Sequence, residues 1–227
     1  MAVAAAVNVE ERARQSRGIS NDAILNMVVR ALSRRGISGE CLVDVGCGAG
    51  NLYHHVSRQF HHYIGVDAVR YEDFPAEAEF CRLDLDGGHI LLEDSSADVV
   101  AAVEVIEHLE NPRDFLRKLV RLAKPRGWII VTTPNQLSIL SLLTLVFKQR
   151  FQAFQDVQYP AHITALLEVD LRRIAQECGL TEIAIEYSGS GRIPGTARHY
   201  PGTFSRLFPR SFSENVLLIG QKKAADV

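Results

Sequence analysis

The 227-residue sequence is poor in cysteine, tryptophan and net charge, with four cysteines, one tryptophan and a formal charge of −2. Each scarcity excludes something. Cys41, Cys47, Cys81 and Cys178 lie far apart with no C-x-x-C pair. That spacing argues against a zinc site or a disulfide framework and reads as reduced core thiols. A charge so near zero provides no whole-surface field for nucleic acid or anionic membrane, leaving room only for local basic patches. The longest apolar stretch, 137–147, is too short to span a bilayer, which takes about 20 residues. The opening MAVAAAVNVEERARQ lacks a basic n-region and reads as a helical or frayed lead-in, not a signal peptide. No repeat or low-complexity linker divides the chain, so one domain over 1–227 is expected, in the cytoplasm.

What is present is an alternation. Asp22–Leu32 (DAILNMVVRAL) carries apolar residues at helical spacing. CLVDV (41–45), YIGVD (63–67), EFCRLDL (79–85), ADVVAAVEV (97–105) and WIIVTT (128–133) read as strands. Asn51–Phe60 reads as a helix between the first two. In NPRDFLRKLVRLAK, Asn111 can cap, Pro112 suits the first helical position, and Phe115, Leu116, Leu119 and Leu122 form an apolar stripe. Pro125 and Gly127 are expected to end that helix. Strands alternating with helices imply βαβ units and a parallel sheet. Val169–Cys178 reads as a further helix, and TEIAIEY (181–187) and ENVLLIG (214–220) as two last strands. The Gly- and Pro-rich loop between them, about 26 residues long, far exceeds the usual 2 to 6.

The stretch VDVGCGAGN (43–51) sits between the first strand and its helix. Without Cβ atoms at Gly46, Gly48 and Gly50 the backbone can approach a ligand, and the N–H groups at the helix start can meet an anionic group. The spacing G-x-G-x-G differs from the dinucleotide pattern G-x-G-x-x-G, and Asp44 would be awkward beside a pyrophosphate. An acidic side chain there suits a ligand with a cationic amino-acid end, as S-adenosylmethionine has. Asp67 closes the next strand about 20 residues on, where a carboxylate can take two ribose hydroxyls.

With these residues the sequence resembles the class I S-adenosylmethionine-dependent methyltransferases. VDVGCGAGN (43–51), GVD (65–67), LDLD (83–86), ADVVAAVEVIEHLENP (97–112) and VTTPN (131–135) occur in that family's order. EVIEHLENP followed by TTPN is similar to the branch holding quinone-biosynthesis and sugar or polyketide O-methyltransferases. The resemblance implies a Rossmann-like α/β fold: a seven-stranded, mostly parallel sheet, last strand antiparallel, with helices on both faces. It implies a cofactor core at 40–135 and acceptor-lid insertions within 136–213. It also implies that Asp44, Gly46, Gly48 and Gly50 line the methionine end and that Asp67 binds the ribose, with Asn51 and Ala68 among the cofactor-binding residues. Asp84 and Leu85 would flank the adenine, although the turn signal Asp86-Gly87-Gly88 could shift that register. Glu104 would lie near the sulfonium.

Methyl transfer is a direct displacement, and a hydroxyl acceptor benefits from a base. His108 is the candidate base, with a histidine that only caps the strand-to-helix loop as the bland alternative; Glu107 could orient its ring. Glu104, Glu107, His108 and the distant His162 also resemble the metal-binding set of small-RNA 2′-O-methyltransferases. No clear basic-aromatic stripe for RNA accompanies them, and the main reading assigns no metal and no nucleic acid. The expected acceptor is a small molecule, or a lipid- or carbohydrate-linked one, methylated on oxygen. A module that binds the cofactor without turnover is the non-enzymatic alternative.

Acceptor choice should come from the N-terminal helix, 135–162 and 188–213. NQLSILSLLTLVFKQRFQAFQ reads either as a pair of lid helices or as an apolar platform touching a membrane surface, with Lys148 and Arg150 near headgroups. Arg192, Arg198, Arg206 and Arg210 lie among Tyr200, Phe204 and Phe208, which suits an anionic acceptor or a solvated loop.

Overall fold

The computed structural model describes residues 20–85 and 90–224. The N-terminal lead-in and the Asp86-Gly87-Gly88 turn lie outside the described residues. In chain order the elements are α1 (Asp22–Arg34), β1 (Gly39–Val45), α2 (Asn51–Val56), β2 (Phe60–Asp67) and β3 (Glu79–Arg82). Then come β4 (Ala97–Val103), a 3₁₀ turn (Ile106–His108), α3 (Pro112–Leu122), β5 (Ala123–Pro134) and α4 (Ile139–Lys148). Last are α5 (Glu168–Glu177), β6 (Leu180–Tyr187), α6 (Gly202–Leu207) and β7 (Asn215–Lys222).

The seven strands form one sheet in the order β3-β2-β1-β4-β5-β7-β6. β1 pairs in parallel with β2 and β4, and β4 with β5, while β7 runs antiparallel to both β5 and β6. The expected fold is the observed one. Strand order reverses between β1 and β4, and in open α/β sheets the crevice at that point, beyond the carboxyl ends of the strands, takes the ligand.

Side-chain alternation divides the core between the two faces of the sheet. Leu42, Val99, Ala101, Ile130 and Leu217 pack under Met27, Val28 and Leu32 of α1 and Leu52 and Val56 of α2. Val43, Val100, Ala102, Ile129 and Val131 pack on the other face, under Phe115, Leu119 and Leu122 of α3 and Leu171 and Ile174 of α5. Both helix stripes obey the 3.6-residue period. Asn21 caps α1 through Ala23 N–H at 2.6 Å, and Asn111 caps α3 through Asp114 N–H at 3.0 Å with Pro112 at its first position.

Three boundaries differ from the sequence reading. α2 stops at Val56, because Phe60 is already buried as the first residue of β2, paired with Gly39. β5 begins at Ala123, directly after α3, and carries Pro125 and Gly127 in an irregular stretch where pairing jumps from Ala97–Ala123 to Val99–Trp128. Proline is tolerated at such a bulge because no ladder bond is lost there. The 136–154 region holds one helix, α4, not a pair.

Candidate active site

The glycine loop occupies the switch point. Gly46 N–H donates to Val66 O at 2.6 Å, Gly50 N–H to Cys47 O at 2.9 Å, and Gly48 N–H to Asp67 Oδ2 at 2.8 Å. All three glycines have left-handed backbones, with φ of 78°, 53° and 77°. A Cβ on Gly46 would overlap the Val105 side chain, and one on Gly50 would stand 2.5 Å from Pro75 Cδ. Sequence reasoning ascribes these glycines to ligand approach. The fold itself already demands two of them, by conformation and by packing.

Asp44 lies one residue before the end of β1 and is 2% exposed. Its Oδ2 accepts a hydrogen bond from the Tyr63 hydroxyl, while Oδ1 is buried without a partner among the described residues. Burial pushes its carboxyl up to about 7, against the Tyr63 hydrogen bond, and the Asp67 charge adds to the rise. An orphaned carboxylate oxygen at this depth is costly unless a cationic or donor group meets it.

Asp67 ends β2, half-buried, and accepts from Gly48 N–H and, at 3.3 Å, from Val69 N–H. Burial raises its carboxyl above the ordinary range, opposed by those backbone donors. Each carboxylate oxygen retains a lone pair for a further donor. Asn51 opens α2, and half-buried Ala68 accepts from Arg82 Nε at 3.0 Å. Asp84 is exposed, two residues past β3, and Leu85 packs against the core under α3. The structure thus gathers Asp44, the loop and Asp67 tightly, and leaves Asp84 at the open margin.

Val105, the residue beneath Gly46, follows Glu104, so the loop adjoins the end of β4. Glu104 has φ of +56°, an uncommon conformation for a side-chain-bearing residue that costs roughly 1 kcal/mol or more. Thr132 and Asn215 hold it there. Thr132 Oγ1 accepts from Glu104 N–H and donates to Oε1, both at 3.0 Å, and Asn215 Nδ2 donates to Oε2 at 3.0 Å. Burial still raises the Glu104 carboxyl to about 7. Glu107, fully buried, accepts from Thr133 Oγ1 at 3.1 Å, and its Oε1 has no partner among the described residues. Burial first, and the Glu104 charge second, push its carboxyl far up.

His108 follows, its Nδ1 2.9 Å from the Ala161 carbonyl; His162 Nδ1 lies 2.7 Å from the Ala153 carbonyl. A carbonyl only accepts, so each Nδ1 carries a proton and Nε2 is the ring atom left to act as a base. The two rings meet edge-on with centroids 4.7 Å apart. Glu107, His108 and His162 each offer a ligand atom, all within 4.8 Å of one another, which is a set that could hold a divalent cation. Glu104 is outside this group, turned instead to Thr132 and Asn215.

S-adenosylmethionine fits this edge. Its ammonium would answer the orphaned oxygen of Asp44, and its ribose hydroxyls the spare lone pairs of Asp67. A family model described as a methyltransferase domain matches residues 20–185. The chain therefore belongs to the S-adenosylmethionine-dependent methyltransferases. It is similar to a ubiquinone biosynthesis O-methyltransferase of Maricaulis maris, 35% identical over 125 residues, 49% of each chain. A probable S-adenosylmethionine-dependent methyltransferase of Mycolicibacterium smegmatis is 30% identical over 182 residues, 76% of this chain and 65% of that one. The chain spans about half the length of the first curated relatives it matches. Among solved structures, a SAM-dependent methyltransferase from Archaeoglobus fulgidus shares the fold, with a TM-score of 0.60 and 20% identity over 87% of this chain and 94% of that one.

Four residues escaped the sequence reading. Tyr63 was visible only as part of a strand, and its pairing beside Asp44 needs the β1–β2 register, where Leu42 faces Tyr63. Thr132 and Thr133 stood inside the quoted VTTPN without a role, and their alternate directions send one to Glu104 and the other to Glu107. Asn215 gave no local signal, since antiparallel β7 delivers it from far along the chain.

Proposed function

We propose that this chain transfers a methyl group from S-adenosylmethionine to a hydroxyl oxygen of a small-molecule acceptor, free or carried on a lipid or carbohydrate. The observation that carries this reading is the His108–His162 pair just past the end of β4, each ring fixed by a backbone carbonyl at Nδ1 so that Nε2 is the atom that can take a proton. The names of the curated relatives, O-methyltransferases of ubiquinone biosynthesis, support an oxygen acceptor. The bound cofactor supplies an electrophilic methyl whose sulfur leaves as a neutral thioether, so no acid is needed. His108 takes the acceptor's proton at Nε2, and the Ala161 carbonyl stabilises the imidazolium through Nδ1–H. Asp44 and Asp67 hold the two ends of the cofactor, and Glu104, clamped by Thr132 and Asn215, borders its reactive part.

The test is release of S-adenosylhomocysteine with phenolic, sugar and lipid-linked hydroxyl acceptors. His108→Gln should lower turnover about 10²–10⁴-fold while calorimetric affinity for S-adenosylmethionine stays unchanged. Turnover equal to wild type would remove His108 from the chemistry. A second reading rests on the Glu107–His108–His162 cluster and the orphaned Oε1 of Glu107. In it a divalent cation lowers the hydroxyl pKa instead, as for an RNA 2′-O-methyltransferase. Absolute dependence on added Mg²⁺ or Mn²⁺, lost in Glu107→Gln, would favour it; full activity in chelator would dismiss it.

A further inference from the structure

α4 is built with its polarity reversed. Its buried residues are Ser141 and Thr144, whereas Leu142, Leu143, Val146 and Phe147 are exposed, the last two by 67% and 80%. A helix covering a core shows the opposite pattern. The inward polar face is fully used: Thr144 Oγ1 donates to Leu140 O at 2.7 Å and lies 3.0 Å from Gln152 Oε1, and Ser141 Oγ accepts from Gln152 N–H at 3.3 Å. The apolar face is left to whatever lies outside.

A second apolar group lies on the same edge of the sheet. Ile139 N–H donates to Ser211 O at 2.9 Å, which seats the first turn of α4 against the segment carrying α6. There Phe204, Leu207 and Phe208 are exposed by 49%, 73% and 59%. Isolated exposed apolar residues need no explanation, but two clustered groups on one edge of the molecule do. That edge follows β5 and β6 and precedes β7, so it is the edge that holds the glycine loop.

The charge around these groups decides what covers them. Segments 137–163 and 188–213 contain Lys148, Arg150, Arg192, Arg198, Arg206 and Arg210 against the single acid Asp156, in a chain of net charge −2. Arg150 pairs with Asp156, Arg192 with Glu214, and Arg210 faces Glu168 at 3.8 Å. Among the described residues Lys148, Arg198 and Arg206 make no ion pair. A second copy of the chain would bring like charge against like charge, which opposes self-association through this face. An anionic bilayer matches both components, taking apolar side chains between its headgroups and the basic ones at its surface.

We propose that α4 and the 188–213 segment form a docking surface for an anionic phospholipid membrane, with the catalytic edge turned towards the bilayer. This goes beyond the reading of the reaction and does not depend on it, because binding is measured without cofactor or acceptor.

The experiment is co-sedimentation of the full chain with vesicles of phosphatidylcholine alone and of equal parts phosphatidylcholine and phosphatidylglycerol. Binding is expected to the anionic vesicles only, and to weaken with added salt. The double variant Val146→Ser/Phe147→Ser should bind on the order of tenfold less. Arg198→Glu/Arg206→Glu should abolish the preference for anionic vesicles. Both variants should keep the wild-type circular-dichroism melt, since the altered side chains are exposed. No sedimentation of wild type with anionic vesicles would overturn the proposal. So would wild-type binding by the Val146/Phe147 variant, or light scattering that finds a dimer dissolved by those two substitutions.

Discussion

The two sides of the catalytic edge are built on opposite plans. On the cofactor side, charge is buried and apolar surface is covered. Asp44 and Glu107 are buried carboxylates and Glu104 a half-buried one, and among the described residues one oxygen each of Asp44 and Glu107 has no partner. On the side of α4 and 188–213, the proposed acceptor side, apolar surface is exposed and charge lies outside, with α4 presenting Leu142, Val146 and Phe147 outward and arginines scattered along 188–213. A protein stores such unfavourable arrangements where something else completes them. In the readings proposed above, a cationic cofactor completes the carboxylates and an anionic membrane covers the exposed apolar face.

The contrast can be broken first at the loop. Gly46→Ala places a Cβ in the Val105 side chain at a φ of 78°. The expected loss of stability is about 3 kcal/mol or more, read as a lower urea midpoint at unchanged slope. A wild-type midpoint with weakened cofactor binding would mean that the ligand alone requires this glycine.

Asp44→Asn sharpens the comparison by separating stability from function. Burial holds the Asp44 carboxyl at about 7, above its ordinary 3.8. The native state therefore binds the proton more tightly than the unfolded chain, so stability is fullest below about pH 4. It is lost progressively as pH rises towards about 7. The asparagine variant has no such loss. Its unfolding free energy should match wild type near pH 4 and exceed it at pH 7, on the order of 2 kcal/mol. Its affinity for S-adenosylmethionine should fall by about tenfold or more, because a neutral amide cannot answer an ammonium. A variant equally stable at both pH values would show that Asp44 is ionised and satisfied in the free protein.

The same contrast governs what could be read from the sequence. Strand alternation, the cap Asn111, and the stripe from Phe115 to Leu122 are local signals, and the structure agrees with them. The placing of the glycine loop and Asp67 at neighbouring strand ends was legible because a βαβ unit brings such ends together, though not the hydrogen bond from Gly48 N–H to Asp67. The clamp on Glu104 was not, since Thr132 and Asn215 reach it across parallel and antiparallel neighbours far apart in sequence. Nor was the reversal of α4: its leucines run close to all-round, and only the contacts of Ser141 and Thr144 reveal which side faces inward. His162 was chosen for its chemistry, and only the fold puts its ring against His108.

The smallest effect on folding belongs to the acceptor side. Phe147 is 80% exposed, so its ring is not part of what holds the fold together. Phe147→Ser should therefore change unfolding free energy by no more than about 0.5 kcal/mol, whereas truncating a core phenylalanine costs about 3–5 kcal/mol. Phe115, at 2% exposure, supplies that reference within the same chain. Measured side by side in urea, Phe115→Ala and Phe147→Ser should differ several-fold in midpoint shift. Equal shifts would mean that the α4 ring packs against the protein in solution, and the acceptor side would then follow the same plan as the core. A negligible shift for Phe147 leaves its ring without a folding role, so any loss that Phe147→Ser causes in vesicle binding is a loss of contact with the membrane.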